Sequence, residues 1–193
     1  MSSALEGVME SFLVSTGLVA LAEIGDKTQL LALVLAARYR KAVPIIFGIL
    51  IATLLNHAIA AAVGVWVTQF VEPQVLSWVL GVAFIAMGAW MLIPDKFEEQ
   101  TAKEPRFGIF ATTLFAFFIL EIGDKTQVAT VALAAQYDAL LPIVLGTTAG
   151  MMIANVPAVL LGELAAKYFN VRLIQSIAAV AFVVLGVAVL LLA

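Results

Sequence analysis

The sequence predicts an all-α integral membrane protein whose six transmembrane helices form two inverted-topology repeats of three helices each. Three observations lead to this prediction. The first is composition: 64% of the residues are hydrophobic, 12% are charged and the mean hydropathy is +1.12, whereas about a quarter of the residues in a soluble domain are charged. The second is a series of long apolar stretches, and the third is an internal repeat.

Six apolar stretches meet the requirement of about 20 mostly apolar residues per transmembrane helix. They cover roughly residues 9–37, 43–70, 75–93, 107–136, 140–166 and 171–192. Pro44 and Pro142 suit the first turns of the second and fifth stretches, because a proline there removes no helical hydrogen bond. The polar segment 94–106 is predicted to be a solvated linker between repeat 1 (1–93) and repeat 2 (107–193). No room remains for a soluble catalytic or nucleic-acid-binding domain, so we expect no nucleic-acid partner.

The positions of the basic residues predict the orientation of the chain. Eight of the ten Lys and Arg residues fall in the loops after the first, third and fifth stretches: Arg38, Arg40, Lys41, Lys96, Lys103, Arg106, Lys167 and Arg172. Basic loops face the cytoplasm. Loops 1–2, 3–4 and 5–6 are therefore predicted to be cytoplasmic, with both termini outside.

A seven-residue motif, EIGDKTQ, occurs at Glu23–Gln29 and again at Glu121–Gln127, 98 residues later. The same offset holds without a gap well beyond the motif. It pairs Phe12 with Phe110, Tyr39 with Tyr137, Pro44 with Pro142, Gly48 with Gly146 and Gly88 with Gly186. Because each repeat has three helices, the second enters the membrane from the opposite side. Inverted repeats are typical of secondary transporters that bind their substrate where the repeats meet.

The motif places a Glu, an Asp and a Lys at positions i, i+3 and i+4 of a predicted continuous helix, so the three should share one face. Each charge at the membrane centre costs at least ~2.5–3.5 kcal/mol, and we therefore predict that both copies meet in one buried site. Four carboxylates and two ammonium groups carry a formal charge of −2, which matches one divalent cation or two protons. Carboxylate oxygens suit Mg²⁺, Ca²⁺ and Mn²⁺. The absence of cysteine and the single histidine disfavour Cu⁺ and Zn²⁺.

The other residues of the motif are predicted to support this site. Two lysines hold the emptied carboxylates ionised or tether them, threonines and glutamines add neutral oxygens, and glycines let the helices bend. These residues are Lys27, Lys125, Thr28, Thr126, Gln29, Gln127, Gly25 and Gly123. His57 and Asn155, which the offset also pairs, are candidates for orienting the motif or assisting proton transfer. A lone His or Asn in a helical bundle is more often a hydrogen-bonding partner between helices. Asn56 is a similar but weaker candidate.

Clustered carboxylates in a low dielectric resist full ionisation, so an empty site takes up protons and a metal ion displaces them. This chemistry predicts exchange of a divalent cation for protons by alternating access. The residues leave three alternatives open: a divalent cation channel with an acidic filter, an intramembrane metal-dependent enzyme, and a structural scaffold. The chain shows no further catalytic grouping, so we expect neither an enzyme nor a resident cofactor. A homo-oligomer is compatible with the sequence.

The doubled signature EIGDKT, at 23–28 and 121–126 in a chain of about two hundred residues, resembles uncharacterised protein family 0016, the Gdt-type branch of the cation/calcium exchangers. The resemblance covers essentially the whole chain. It implies a divalent cation/proton antiporter that handles Mn²⁺ or Ca²⁺, with manganese export as the bacterial role. It also implies that Glu23, Asp26, Glu121 and Asp124 bind the metal. Eukaryotic relatives usually carry targeting segments and a longer central loop, so the resemblance favours a bacterial plasma (inner) membrane.

Overall fold

The computed structural model describes residues 2–93, 108–161 and 171–193. Across these ranges the chain forms eight α-helices and no β-strand. The helices are α1 (Ser2–Glu23), α2 (Lys27–Tyr39), α3 (Ala42–Thr68), α4 (Pro73–Met91), α5 (Gly108–Glu121), α6 (Lys125–Tyr137), α7 (Leu140–Leu161) and α8 (Val171–Leu191). The predicted linker 94–106, with three of the predicted basic loop residues, and Lys167 lie outside the described residues.

Five of these helices are long and apolar enough to cross a membrane, which confirms a helical membrane protein. They are α1, α3, α4, α7 and α8. The prediction counted six, and the difference lies in α5, which has 14 residues. At 1.5 Å per residue it is roughly 21 Å long, whereas the hydrocarbon core of a bilayer is about 30 Å thick.

The predicted continuous helices 9–37 and 107–136 are wrong, because each is interrupted within the motif. Gly25 has φ +84° and Gly123 has φ +76°, a backbone region that glycine enters at little cost. The glutamate of each motif therefore ends one helix and the lysine begins the next. The expected i, i+3, i+4 arrangement on one helical face is wrong for the same reason, although the predicted bend at the glycines is confirmed. We call residues 23–27 the first break and residues 121–125 the second break.

Helix starts and ends follow the sequence signals more closely. Pro44 is the third residue of α3 and Pro142 the third residue of α7, so both lie in first turns as predicted. Helices α2 and α6 each end at a residue in the left-handed conformation, Arg40 with φ 50° and Asp138 with φ 46°. The 98-residue offset pairs these two caps, and both halves of the chain therefore make the same turn.

The two halves interleave, so that each packs mainly on the other. Helix α1 lies along α7, α5 along α3, and α4 along α8, while α3 and α7 meet between them. A Cβ added to Gly48 would stand 2.9 Å from the carbonyl oxygen of Phe110, and one added to Gly146 would stand 2.6 Å from that of Phe12. The offset of 98 residues converts the first contact into the second. Glycine is thus required at two equivalent close crossings.

The surface of the bundle is apolar and its interior holds the acids. Large side chains such as Trp66, Trp78 and Phe115 are more than half exposed, whereas Glu23 and Glu121 are fully buried. This inversion of the usual soluble pattern suits a lipid environment, where ionisable groups turn away from the hydrocarbon. The fold therefore directs both motifs toward the centre.

Candidate metal site at the two helix breaks

The breaks set the positions of the four acids. In the first break, the N–H of Asp26 donates to the carbonyl of Glu23 at 3.0 Å, and the Asp26 side chain caps α2 by accepting from Thr28 N–H at 3.4 Å. The second break repeats the turn, with Asp124 N–H on the carbonyl of Glu121 at 3.1 Å. Each Asp thus stands at a helix N-terminus, where the helix dipole favours a negative charge.

The carboxylate of Glu23 meets a residue from the other half of the chain. Asn155 Nδ2 on α7 donates to Glu23 Oε1 at 3.2 Å and also contacts the carbonyl of Met151 at 3.1 Å. Both Glu23 and Asn155 are fully buried. Within the described part of the chain, Glu23 Oε2 and Asn155 Oδ1 have no hydrogen-bond partner, so two buried oxygens remain available in this half-site.

The carboxylate of Glu121 has an equivalent neighbour on α3. His57 Nε2 lies 4.0 Å from Glu121 Oε2, and Thr126 Oγ1 donates to the same oxygen at 3.3 Å. Glu121 Oε1 and both ring nitrogens of His57 have no hydrogen-bond partner among residues 2–93, 108–161 and 171–193. The offset that pairs His57 with Asn155 therefore also pairs their contacts, since each faces the glutamate of the opposite half.

An ion pair joins the two motifs directly. Lys27 Nζ lies 2.9 Å from Asp124 Oδ1, with 23% and 3% of the respective side chains exposed. Electrostatic repulsion acts between Glu23 and Glu121, and between each of them and Asp124. Lys125, which is also buried, donates from Nζ to the carbonyl of Ile93 at 3.2 Å. The structure thus joins the two motifs through Lys27 and Asp124, and the two lysines contact different groups.

The predicted neutral oxygens mainly stabilise the breaks. Gln29 Oε1 accepts from Gly25 N–H at 2.9 Å, and Gln127 Oε1 accepts from Gly123 N–H at 2.7 Å. Thr28 Oγ1 donates to Asp26 Oδ2 at 3.4 Å. The two glutamine bonds provide partners for backbone N–H groups that the interrupted helices leave unsatisfied.

The unpartnered atoms indicate what the site can bind. Four buried oxygens have no hydrogen bond to any residue that the structure describes: Glu23 Oε2, Glu121 Oε1, Asp124 Oδ2 and Asn155 Oδ1. Oxygen-rich sets of carboxylates and amides suit hard divalent cations. Among the described residues, however, no group of three or more Asp, Glu or His side chains is arranged to hold a metal ion. Binding by all four acids therefore requires them to converge from this arrangement.

Two residues outside the motifs contact the breaks. Asn56 Oδ1 accepts from Gln127 Nε2 at 3.5 Å, and the sequence had suggested Asn56 only as a weaker candidate than its neighbour His57. Gln29 Nε2 donates to the carbonyl of Ala154 at 3.0 Å, one turn before Pro157 inside α7. Because every residue carries a backbone carbonyl, the sequence motif does not indicate which one accepts this hydrogen bond.

Comparison with known proteins gives a consistent result. The family described as "Divalent cation/proton antiporter GDT1" matches residues 11–99 and 109–193. A protein of Vibrio cholerae serotype O1 named "Putative manganese exporter" is 51% identical over 184 residues, covering 95% of this chain and 92% of its own. "GDT1-like protein 5" of Arabidopsis thaliana is 26% identical over 224 residues, covering 95% and 96%. "GDT1-like protein 3" of Oryza sativa subsp. indica is 25% identical over 202 residues, covering 91% and 72%. No solved structure matches.

Proposed function

The chain belongs to the GDT1 family of divalent cation/proton antiporters, and from this premise we propose that it exports Mn²⁺ in exchange for protons, with Ca²⁺ as a second cargo. The observation that carries the proposal is the meeting of the two motifs. Glu23, Asp26, Glu121 and Asp124 are all buried, and the ion pair between Lys27 and Asp124 joins one motif to the other. These four acids are the proposed ligands of the transported cation.

The charge of the site favours a divalent ion. Four carboxylates, with two lysines beside them, leave a formal charge of −2 when every group is ionised. Burying such a charge without compensation is prohibitive in a low dielectric, so the site must hold a cation or take up protons. The choice of manganese is supported by the name of the Vibrio cholerae relative, while the oxygen ligands suit Mn²⁺ and Ca²⁺ alike.

Lys27 provides an internal cation for the empty site. Its ammonium group contacts Asp124 Oδ1, one of the oxygens that the incoming ion needs. An incoming Mn²⁺ displaces the lysine and any protons, and its departure restores them. Metal and protons therefore compete for the same carboxylates, which is the requirement for their exchange.

Alternating access is supported by the symmetry of the contacts. The close crossings at Gly48 and Gly146 are equivalent under the 98-residue offset, as are the neighbours of Glu23 and Glu121. We therefore propose six membrane crossings in two inverted repeats, in which α1 with α2, and α5 with α6, each form one interrupted crossing. Exchange of conformation between the repeats opens the site to one side and then the other. The proposed location is a bacterial inner membrane, with both termini outside.

The test is transport by the purified protein in liposomes that enclose a pH-sensitive dye. We expect added Mn²⁺ to enter while protons leave, and Asp124→Asn to abolish both movements. Asp138→Asn is the matched control, because Asp138 is an exposed cap at φ 46° and asparagine tolerates that conformation. Mn²⁺ entry that persists without proton movement when the voltage is clamped would instead identify a channel.

A further inference from the structure

The buried side chain of Asn56, on α3, makes hydrogen bonds on both sides of the second break. Its Nδ2 donates to the carbonyl of Phe118 at 3.0 Å, and its Oδ1 accepts from Gln127 Nε2 at 3.5 Å. Gln127 in turn accepts from the N–H of Gly123 at 2.7 Å. The Asn56 amide thereby connects the end of α5, the break itself and the start of α6. Only 1% of the Asn56 residue is exposed.

The bond to Phe118 satisfies a carbonyl that the break releases. In a continuing helix the N–H of Ile122 would donate to Phe118, but here it donates to Ile119 at 3.3 Å. Carbonyl groups in the last turn of a helix need partners from elsewhere, and the need is strongest away from water. Asn56 supplies that partner one turn before Glu121.

The first break is fastened differently. Gln29 again accepts from the glycine N–H, but its Nε2 donates to the backbone carbonyl of Ala154 at 3.0 Å. Ala154 occupies the position that the offset pairs with Asn56, so one half uses a side-chain oxygen where the other uses the main chain.

We infer that Asn56 is a positioning residue for the cation site, which fixes Glu121 and Asp124 through the second break. The inference rests on the proposed function. It follows that the two half-sites are unequal although their motifs are identical. Replacing Asn56 removes the partner of Gln127 at the second break. At the first break the partner of Gln29 is the backbone carbonyl of Ala154, which no substitution of the Ala154 side chain removes.

A double-mutant cycle tests this inference on the full chain in detergent, with Mn²⁺ alone as the probe. Loss of one buried hydrogen bond corresponds to a three- to ten-fold weaker Mn²⁺ affinity in Asn56→Ala. Gln127→Ala removes the bond that the two side chains share, so the loss of affinity in the double variant Asn56→Ala/Gln127→Ala should be smaller than the product of the two single losses. Gln29→Ala is the matched partner in the other half, and its effect should multiply with that of Asn56→Ala.

Two further measurements separate positioning from packing. In liposomes, Asn56→Ala should raise KM for Mn²⁺ with a smaller change in kcat, whereas a packing defect lowers Tm and leaves KM unchanged. If Asn56→Ala fails to fold, the isosteric pair Asn56→Val and Asn56→Thr replaces it, and the threonine hydroxyl should recover part of the affinity. Unchanged Mn²⁺ binding in Asn56→Ala and Asn56→Val, or multiplication of effects with Gln127→Ala, would overturn the inference. Failure of the unaltered protein to bind Mn²⁺ would instead overturn the proposed function.

Discussion

Replacing Lys27 with methionine should tighten Mn²⁺ binding while destabilising the metal-free protein. At the observed 2.9 Å separation from Asp124, the Coulomb attraction is roughly 6 kcal/mol at an effective dielectric constant of 20. Breaking a buried ion pair from one side costs about 3–5 kcal/mol. Because the Lys27 side chain is 23% exposed, solvent screening reduces this figure, and about 2 kcal/mol is a reasonable net value.

The same 2 kcal/mol must be given up when Mn²⁺ displaces the lysine in the unaltered protein. Replacing Lys27 with methionine should therefore increase the Mn²⁺ affinity about thirty-fold, since 1.4 kcal/mol corresponds to a factor of ten. Titration calorimetry in detergent measures the affinity, and thermal unfolding with and without Mn²⁺ measures the stability. The metal should raise Tm more in Lys27→Met than in the unaltered chain, because it replaces the missing positive charge.

Lys41→Met is the matched control, because Lys41 is exposed at the start of α3. This substitution should change neither the Mn²⁺ affinity nor the stability of the metal-free protein. Equal or weaker Mn²⁺ binding in Lys27→Met, with a normal control, would show that the lysine does not compete with the metal. Its ion pair with Asp124 would then be a structural tether alone.

Three further substitutions test the breaks and the interface between the halves. Gly123→Ala should destabilise the protein by about 1–2 kcal/mol in thermal unfolding, because alanine is strained at φ +76°. The control Gly7→Ala should not destabilise it, because Gly7 lies within α1 with open space around it. Gly146→Ala should lower the stability by about 1–3 kcal/mol through overpacking, since its Cβ would stand 2.6 Å from the Phe12 carbonyl oxygen. Gly17→Ala is the control, because no atom crowds that position. Equal Tm values for the two variants would contradict the close crossing. Asn155→Leu should weaken Mn²⁺ binding about ten-fold, because Glu23 Oε1 loses its donor at 3.2 Å; unchanged affinity in the same calorimetric titration would remove Asn155 from the site.

The sequence predicted what depends on hydropathy and on the repeat. Of the six crossings predicted from apolar length, five correspond to helices that are long and apolar enough to span a membrane. The offset paired His57 with Asn155, and in the structure each of them lies beside the glutamate of the opposite half. It did not predict that Glu23 would end a helix. The apolar residues on both sides of the motif fit a continuous helix equally well, and the break depends on backbone bonds to Gln29 and Gln127.

The hydrogen-bond partners of the two glutamine amides could not be predicted from the motif for a different reason. Gln127 contacts Asn56, while Gln29 contacts the Ala154 carbonyl. One interaction uses a side chain and the other the main chain, so a comparison of the two halves by residue type finds no correspondence between them. The equivalence becomes visible only when α3 and α7 are placed against the breaks.

The interrupted helices also explain why the chain buries so much charge twice. A single motif would place two carboxylates in a low dielectric with one lysine from its own helix start. Two motifs meeting across the interface allow Lys27 of one half to neutralise Asp124 of the other, so compensation occurs between halves. An ion pair that joins the halves ties the charge state of the site to their relative position. Under the proposed function, a cation bound at Asp124 would release Lys27 and weaken that connection, so the transported ion would act directly on the movement of the two halves.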